Sequence, residues 1–333
     1  MHLGCDSFVF HFALEAQLVI QTGSDLRDML DGLNQIYPQL HKLKPFLFSC
    51  YRVTEGRLQA IVSQSFCRLN PNYLLGTGAR VKTPRWKAHR DVIRNTWGGE
   101  SLVLGKVVKL FFLLGLQTGE GSEQLQEQLL QESTEHQDLI QSDFLDCYKN
   151  LTIKTMMMLE WLDTYCSGAS YAMKIDSDMF LNVPNLINML SHAPKENYMS
   201  GLVVRQAVVL RDRTSKWCLP VELYPHPRYP RYALGLGYVL SLDLPKKLVG
   251  ASRHVKAVYI EDVYLGLCME YLGISPTDPP DKSYFNVFPV QYSHCSFSRI
   301  IATTTHNYSD LLWIWKDLHR PEQQICPEVQ FQN

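Results

Sequence analysis

Apolar residues along this chain keep two different rhythms. In "YAMKI", Tyr171, Met173 and Ile175 recur at every second position, the period of a buried strand. In "NLTIKTMMMLEWLDTYC", Leu151, Met158, Leu162 and Tyr165 fall on one helical stripe. From Lys87 onward the two rhythms take turns. "KAHRDVIRNTWG" predicts a helix ended by Gly98, and "VVKLFFLLGL" predicts a buried strand from Val107 to Leu116. "GEGSEQLQEQLLQESTEHQD" is polar and helix-capable, and "DLIQSDFLD" reads as a short strand and turn. A helix is expected from Pro184 to about Ala193, and "YALGLGYVLSLD" reads as a strand punctuated by glycine. "EDVYLGLCMEYLG" predicts a helix that opens on two acids and closes near Gly273, and "SDLLWIWKDL" predicts a last helix. Strands alternating with helices define the α/β class. Residues 1 to about 85 show few periodic runs, although "KPFLFSC" suits a strand.

Composition changes this picture little. With 46% hydrophobic and 20% charged residues, the 333-residue chain has ample apolar mass for a core, in one large domain or two small ones. A formal net charge of -1 gives no polybasic face for nucleic acid. The nine cysteines are widely spaced without a C-x-x-C pair, which argues against a zinc ribbon and suits an oxidising lumen with a few bridges. Two N-x-S/T sequons, at Asn150 and Asn307, gain meaning only in a secretory compartment. No transmembrane run is expected: "FVFHFALEAQLVI" is short and interrupted by His11, Glu15 and Gln17.

The candidate chemistry begins where the Tyr171–Ile175 strand runs into Asp176-Ser-Asp178. Carboxylates at a strand's end lie at the sheet edge where open α/β sheets bind ligands. Close together they repel, so something positive is expected between them. A divalent cation bound to substrate phosphates suits such a place, because one or two carboxylates plus phosphate oxygens suffice. The alternative is a surface turn whose aspartate caps the next helix. Glu261 and Asp262 either complement a helix dipole or supply a general base. Arg90 and Arg94, four apart, are either a solvated pair or a diphosphate clamp. Lys174, inside a buried strand, needs a partner such as Asp176 or a phosphate. His306 is either a metal ligand or an ordinary histidine. Gly235 and Gly237 allow close backbone approach but lack the dinucleotide fingerprint.

Each feature alone is common; their order is not. "HRDVIRNTWG", "QDLIQSDFLDCYKNLTIKT", "YAMKIDSDMFLN", "RYPRYALGLGYVLS" and "IEDVYLGLC" follow one another as in the β-1,3-galactosyltransferase family of Golgi glycosyltransferases, which this chain resembles from roughly Lys87 to Cys326. The resemblance implies a GT-A type α/β fold, with a mostly parallel central sheet and helices on both faces. It implies a catalytic domain over residues 87–326, a divergent or inserted segment at 1–86 and a tail at 327–333. It implies Mn²⁺ held by Asp178, with Asp176 on the metal or the nucleotide sugar and His306 completing the shell. By the same resemblance Arg90 and Arg94 line the nucleotide pocket with Lys174, Gly235 and Gly237, and Asp262 is the base with Glu261 in a lesser role. The implied reaction moves galactose from UDP-galactose to the 3-hydroxyl of an acceptor sugar on a glycoprotein or glycolipid, with inversion to a β1→3 linkage. Transfer of N-acetylglucosamine, or an inactive binding module, are the alternatives. The implied location is the Golgi lumen, with a membrane anchor that this sequence does not show. Cys166 and Cys295 match family cysteines and are the expected bridge formers, not necessarily with each other.

The sequence also departs from the family. Ala233 and Leu236 stand where members usually carry Cys and Thr, so a usual bridge is expected to be absent. "PFL" resembles the family's first core strand, yet Ser49 to Trp86 separates it from the arginine helix, so an altered first strand of the donor pocket is expected.

Overall fold

The computed structural model describes residues 84–116, 121–166, 168–320 and 326, together with the backbone of 10–12 and 16–19. Two short strands, β1 (Phe10–Phe12) and β2 (Ala16–Val19), come first. Helix α1 (Pro84–Arg94) ends four residues earlier than expected. A 3-10 turn at Trp97–Gly99 follows, and the buried Trp97 indole donates to the Met179 carbonyl at 3.1 Å. The chain continues through β3 (Leu102–Val103), β4 (Lys106–Val107), β5 (Lys109–Leu116), α2 (Ser122–His136) and β6 (Leu139–Leu145). Then come α3 (Leu151–Tyr165), β7 (Tyr171–Ile175), β8 (Met179–Leu181) and α4 (Val183–Ser191). The last elements are β9 (Met199–Val204), β10 (Tyr232–Ser241), α5 (Leu244–Ser252), α6 (Glu261–Tyr271), β11 (Phe285–Asn286), α7 (His294–Phe297), β12 (Ala302–Thr304) and α8 (Tyr308–Leu318).

The main sheet has the order β6-β5-β1-β2-β7-β10-β9. β5 pairs parallel with β6 and β1, and β1 parallel with β7. β10 runs against both of its neighbours, and β2 also runs antiparallel. The sheet is therefore mostly of one direction, with two reversed strands. The N-terminal segment, irregular by its apolar pattern, supplies the two strands between β5 and β7. The "PFL" stretch lies outside the described residues.

Strand alternation divides the interior in two. Tyr171, Met173 and Ile175 join Phe112 and Val239 in one core, closed by Ile93 of α1, Leu186 and Leu190 of α4, and Leu311 and Ile314 of α8. Ala172 joins Phe111, Leu113, Tyr238 and Leu240 in the other, closed by Leu159 and Leu162 of α3, Leu248 of α5 and Val263 and Met269 of α6. Helices thus cover both faces, as the α/β expectation required. α3 is buried well beyond the expected stripe, since Thr152, Ile153, Lys154, Thr155 and Met156 are also enclosed. The cap of α4 is Asn182, whose side chain accepts from the Asn185 N–H at 3.0 Å; neither aspartate serves there.

Cys295 bridges to Cys326, with their Cα atoms 5.3 Å apart. Cys166 corrects the other half of that expectation: it is a free thiol buried at the end of α3. It packs in the same apolar core as Ala233, and burial raises its thiol well above the ordinary range. Among the described residues no helix is long and apolar enough to cross a membrane.

Candidate active site

Alternation places Lys174 on the α3–α6 side of β7, one residue before the strand ends. It is buried, and its Nζ meets Asp176 Oδ1 at 2.5 Å. The same ammonium donates to the Gly235 carbonyl of β10. The Asp176 N–H donates to the Leu236 carbonyl at 2.9 Å. Two stretches about sixty residues apart in sequence are therefore stitched together at one point. Asp178 lies two residues on and is exposed. Its backbone carbonyl accepts both the Thr305 N–H and the Thr305 hydroxyl, each at 2.9 Å. β12 pairs antiparallel with β8, with Thr304 opposite Met179, so the chain brings the exposed His306 just beyond that contact.

The helix that opens on two acids comes from the other side. Asp262 Oδ2 accepts from the Gly235 N–H at 2.8 Å, and its Oδ1 accepts from the Val263 N–H at 2.8 Å. Glu261 is buried, and the Tyr238 hydroxyl donates to its Oε1 at 2.7 Å. A Cβ at Gly235 would stand 3.0 Å from Glu261 Oε2 and 3.3 Å from Asp262 Oδ2. Glycine there lets backbone and carboxylates meet. At Gly237 a Cβ would instead meet Met173 and Ile175. The register of β10 shifts between Ala233 and Tyr238, and such an irregularity re-aims residues within a strand.

Three carboxyl groups share one buried ammonium. Burial raises Asp176 to about 6, against the pull of Lys174. Burial raises Glu261 to about 7, with Lys174 opposing and Asp262 adding. Asp262 is also raised, since burial outweighs the bonds from the Gly235 and Val263 amides. The Val263 amide at the helix terminus favours the ionised form, and desolvation overrides it. Lys174 itself is raised: burial works against its charge, and Asp176, Glu261 and Asp262 more than compensate. Such opposed environments are where proton-transfer groups are found.

Arg90 and Arg94 keep other company. Arg90 Nε donates to Glu132 Oε1 at 2.7 Å, and its Nη2 binds the other oxygen of that carboxylate. Arg94 holds Asp138 through two bonds of 2.7 and 2.8 Å, and also reaches Asp91 and Glu132. None of these partners belongs to the acid cluster. Glu132 is 2% exposed inside an otherwise polar helix and needs both guanidinium groups as counter-charge. Nothing in the local pattern of α2 marks it, and Tyr238 is equally unmarked until the β7–β10 register sets it opposite Lys174.

For a metal, the donor chemistry fits: Asp176 and Asp178 carry hard oxygens, and His306 carries an imidazole near the same loop. Among the described residues, no three His, Cys, Asp or Glu side chains stand close enough to hold an ion alone. The residues suit an ion that takes its remaining ligands from a substrate's phosphates.

An α/β sheet with a cluster of carboxylates at the end of a central strand defines the general class. The galactosyltransferase family profile matches residues 88–280, more than half of the chain. The human protein "Beta-1,3-galactosyltransferase 2" is 41% identical over 240 residues, covering 71% of this chain and 57% of that relative. Mouse "Beta-1,3-galactosyltransferase 5" is 39% identical over 243 residues, covering 73% and 78%. This chain belongs to the galactosyltransferase family. It spans little more than half the length of the human relative. Mouse xyloside xylosyltransferase 1 in its apo form overlays with a TM-score of 0.30 and 11% identity, over 70% of this chain and 90% of that one, a likeness too slight to weigh.

Proposed function

We propose that this protein transfers galactose from UDP-galactose to the 3-hydroxyl of an acceptor sugar on a glycoprotein or glycolipid, with inversion to a β1→3 linkage. The carrying observation is the junction at Gly235, whose N–H binds Asp262 while its carbonyl binds the Lys174 that holds Asp176. That junction sets the Asp262 carboxylate beside the Asp176–Asp178 loop, which supports its reading as the base. In the reaction Asp262 takes the acceptor's hydroxyl proton as the oxygen bonds to the anomeric carbon. The bond from that carbon to the diphosphate breaks, and its electron pair leaves on UDP. A carboxylate with a raised pKa is the stronger base, and proton transfer is most effective when its pKa approaches the working pH. Lys174 holds Asp176 in place, and the Tyr238 hydroxyl fixes Glu261 behind Asp262. Asp178, Asp176 and His306 would hold Mn²⁺, which when bound supplies Lewis-acid neutralisation of the charge growing on the diphosphate. Arg90 and Arg94 hold α1 to α2 and to Asp138, at the start of β6, and the family resemblance supports their lining the nucleotide pocket from there. The family resemblance supports a membrane-anchored Golgi location for the whole protein.

The test is donor competition with purified protein, Mn²⁺ and glycoside acceptors. UDP-galactose should be consumed and UDP-N-acetylglucosamine should compete weakly. Preferential consumption of UDP-N-acetylglucosamine would overturn the donor assignment.

A further inference from the structure

Beside the acid cluster stand two large aromatic side chains that the fold does not bury. Tyr148, in the 3-10 turn at Tyr148–Asn150 that precedes α3, is 39% exposed, and Trp217, in the loop between β9 and β10, is 48% exposed. They form one unit. Lys216 Nζ lies 5.0 Å from the Tyr148 ring centre and 4.6 Å from that of Trp217. The Tyr148 hydroxyl is raised to about 12 by burial first and then by the charge of Asp262, with a hydrogen bond from Trp217 opposing and Asp176 and Glu261 adding. Geometry sets the same place: Lys149 Nζ lies 3.2 Å from the Tyr259 ring centre and the Thr152 hydroxyl donates to the Val258 carbonyl at 2.8 Å, so the turn that carries Tyr148 packs against the segment leading into Glu261 and Asp262.

The loop that carries Trp217 is organised for presentation. The Arg211 guanidinium donates to the carbonyls of Leu219, Tyr224 and His226, closing the loop on itself. The Leu219 N–H donates to the Leu210 carbonyl at 2.9 Å. A loop held by its own backbone bonds that still exposes an indole has the form of a binding surface rather than of core packing. A pyranose ring has one face of C–H groups, and an aromatic face, negative at its centre, attracts such hydrogens. The neighbouring carboxylates of Asp176, Glu261 and Asp262 still outnumber the two ammonium groups, Lys174 in the cluster and Lys216 engaged over the rings, which disfavours an anionic sugar.

We propose that Trp217, with Tyr148 beside it and Lys216 above both rings, is the acceptor subsite: its indole face takes the C–H face of the terminal pyranose of an uncharged glycoside and turns the reacting hydroxyl toward Asp262. This deepens the proposed function and rests on Asp262 as base. The probes are p-nitrophenyl β-N-acetylglucosaminide and p-nitrophenyl β-galactoside. At saturating UDP-galactose, Trp217→Ala should raise the acceptor KM about tenfold, and Trp217→Phe should restore most of it. The KM for UDP-galactose should stay within about twofold, and the melting temperature of Trp217→Ala should match the parent. An unchanged acceptor KM, or donor and acceptor KM rising together, would overturn the subsite. Saturation-transfer NMR on the protein without donor gives a readout free of turnover. Sugar C–H signals should be saturated in the parent and in Trp217→Phe, and lost in Trp217→Ala. No saturation in the parent would also overturn the subsite. Saturation that depends on Trp217 in a protein that transfers no galactose would uphold the subsite and sink the transfer reading.

Discussion

At the α1–α2 junction two guanidinium groups, Arg90 and Arg94, face the carboxylates of Glu132, Asp138 and Asp91. In the cleft a single ammonium, Lys174, serves Asp176, Glu261 and Asp262. Both clusters are largely withdrawn from water, and burial is the first influence on Glu132 and Asp91 as it is on Asp176, Glu261 and Asp262. At the junction cations win. Burial pushes Glu132 up, but Arg90 and Arg94 bring it below the ordinary range, and Asp91 is likewise lowered by Lys87 and Arg94. In the cleft burial wins, and all three acids are raised. The difference lies in the supply of positive charge. A well-supplied cluster is a fastener whose protons stay fixed; an undersupplied one holds carboxyl groups poised to exchange protons or accept a cation.

The most severe way to break the contrast is on the acidic side. Asp178→Ala should abolish transfer and metal-dependent UDP binding while leaving the unfolding transition unchanged, because the residue is exposed at a strand's end. Calorimetric titration of UDP with and without Mn²⁺ checks this, and retained metal-dependent binding would remove Asp178 from the site. Asp262→Asn should lower kcat by about 10²–10⁴ with UDP binding nearly intact, as expected for loss of a general base. Initial rates decide, and normal turnover in this variant beside a dead Glu261→Gln would move the base to the neighbouring carboxylate.

The junction should answer differently. Arg90→Met leaves Glu132 buried with one counter-ion fewer, a change that typically costs about 3–5 kcal/mol. Urea unfolding measures it, and a loss below about 1 kcal/mol would mean that the junction fastens nothing. The smallest effect concerns Glu261 and pH. Its ordinary value is 4.5, and in the folded protein it is raised to about 7. Below the ordinary value both states hold the proton and burial carries no penalty. Between the two values the unfolded chain releases a proton that the folded protein keeps, so stability falls as pH rises. Glu261→Gln escapes this loss while keeping an acceptor for Tyr238. Its melting temperature relative to the parent should climb between about pH 4.5 and 7 and then level off, a tenfold difference in proton affinity being worth about 1.4 kcal/mol. A flat difference would show that Glu261 is not strained by its burial.

Much of the fold was legible because its periods are local. The alternation of Tyr171, Met173 and Ile175 is β7, and the acid-opened, glycine-closed stretch is α6, from Glu261 to Tyr271. The end of α1 was misplaced because Trp97 leaves the helix to bond with a strand far along the chain. β1 and β2 escaped notice because three or four residues are too few to set a period. The cleft acids stood out as motifs, but their shared dependence on Lys174 and Gly235 is a matter of register between β7 and β10. Glu132 gave no local sign, since its burial is decided by arginines about forty residues away. Cys166 shows the converse: a cysteine matching a family position stays reduced where its apolar surroundings offer no described partner.

The bridge from Cys295 to Cys326 has a consequence for the unfolded chain. It spans a sequence separation of 31 and encloses β12, His306 and α8 in one covalent ring. A ring of that size removes conformational freedom from the denatured ensemble, by roughly 3–4 kcal/mol on a chain-entropy view. Breaking it leaves every bond in the acid cluster untouched and loosens only the segment that brings His306 to the Asp178 loop. Thiol reduction is thus a scalpel for this protein: it weakens the tether of the segment carrying His306 while the acid cluster keeps its hydrogen bonds. The bridge also favours an oxidising compartment, where that segment stays fastened.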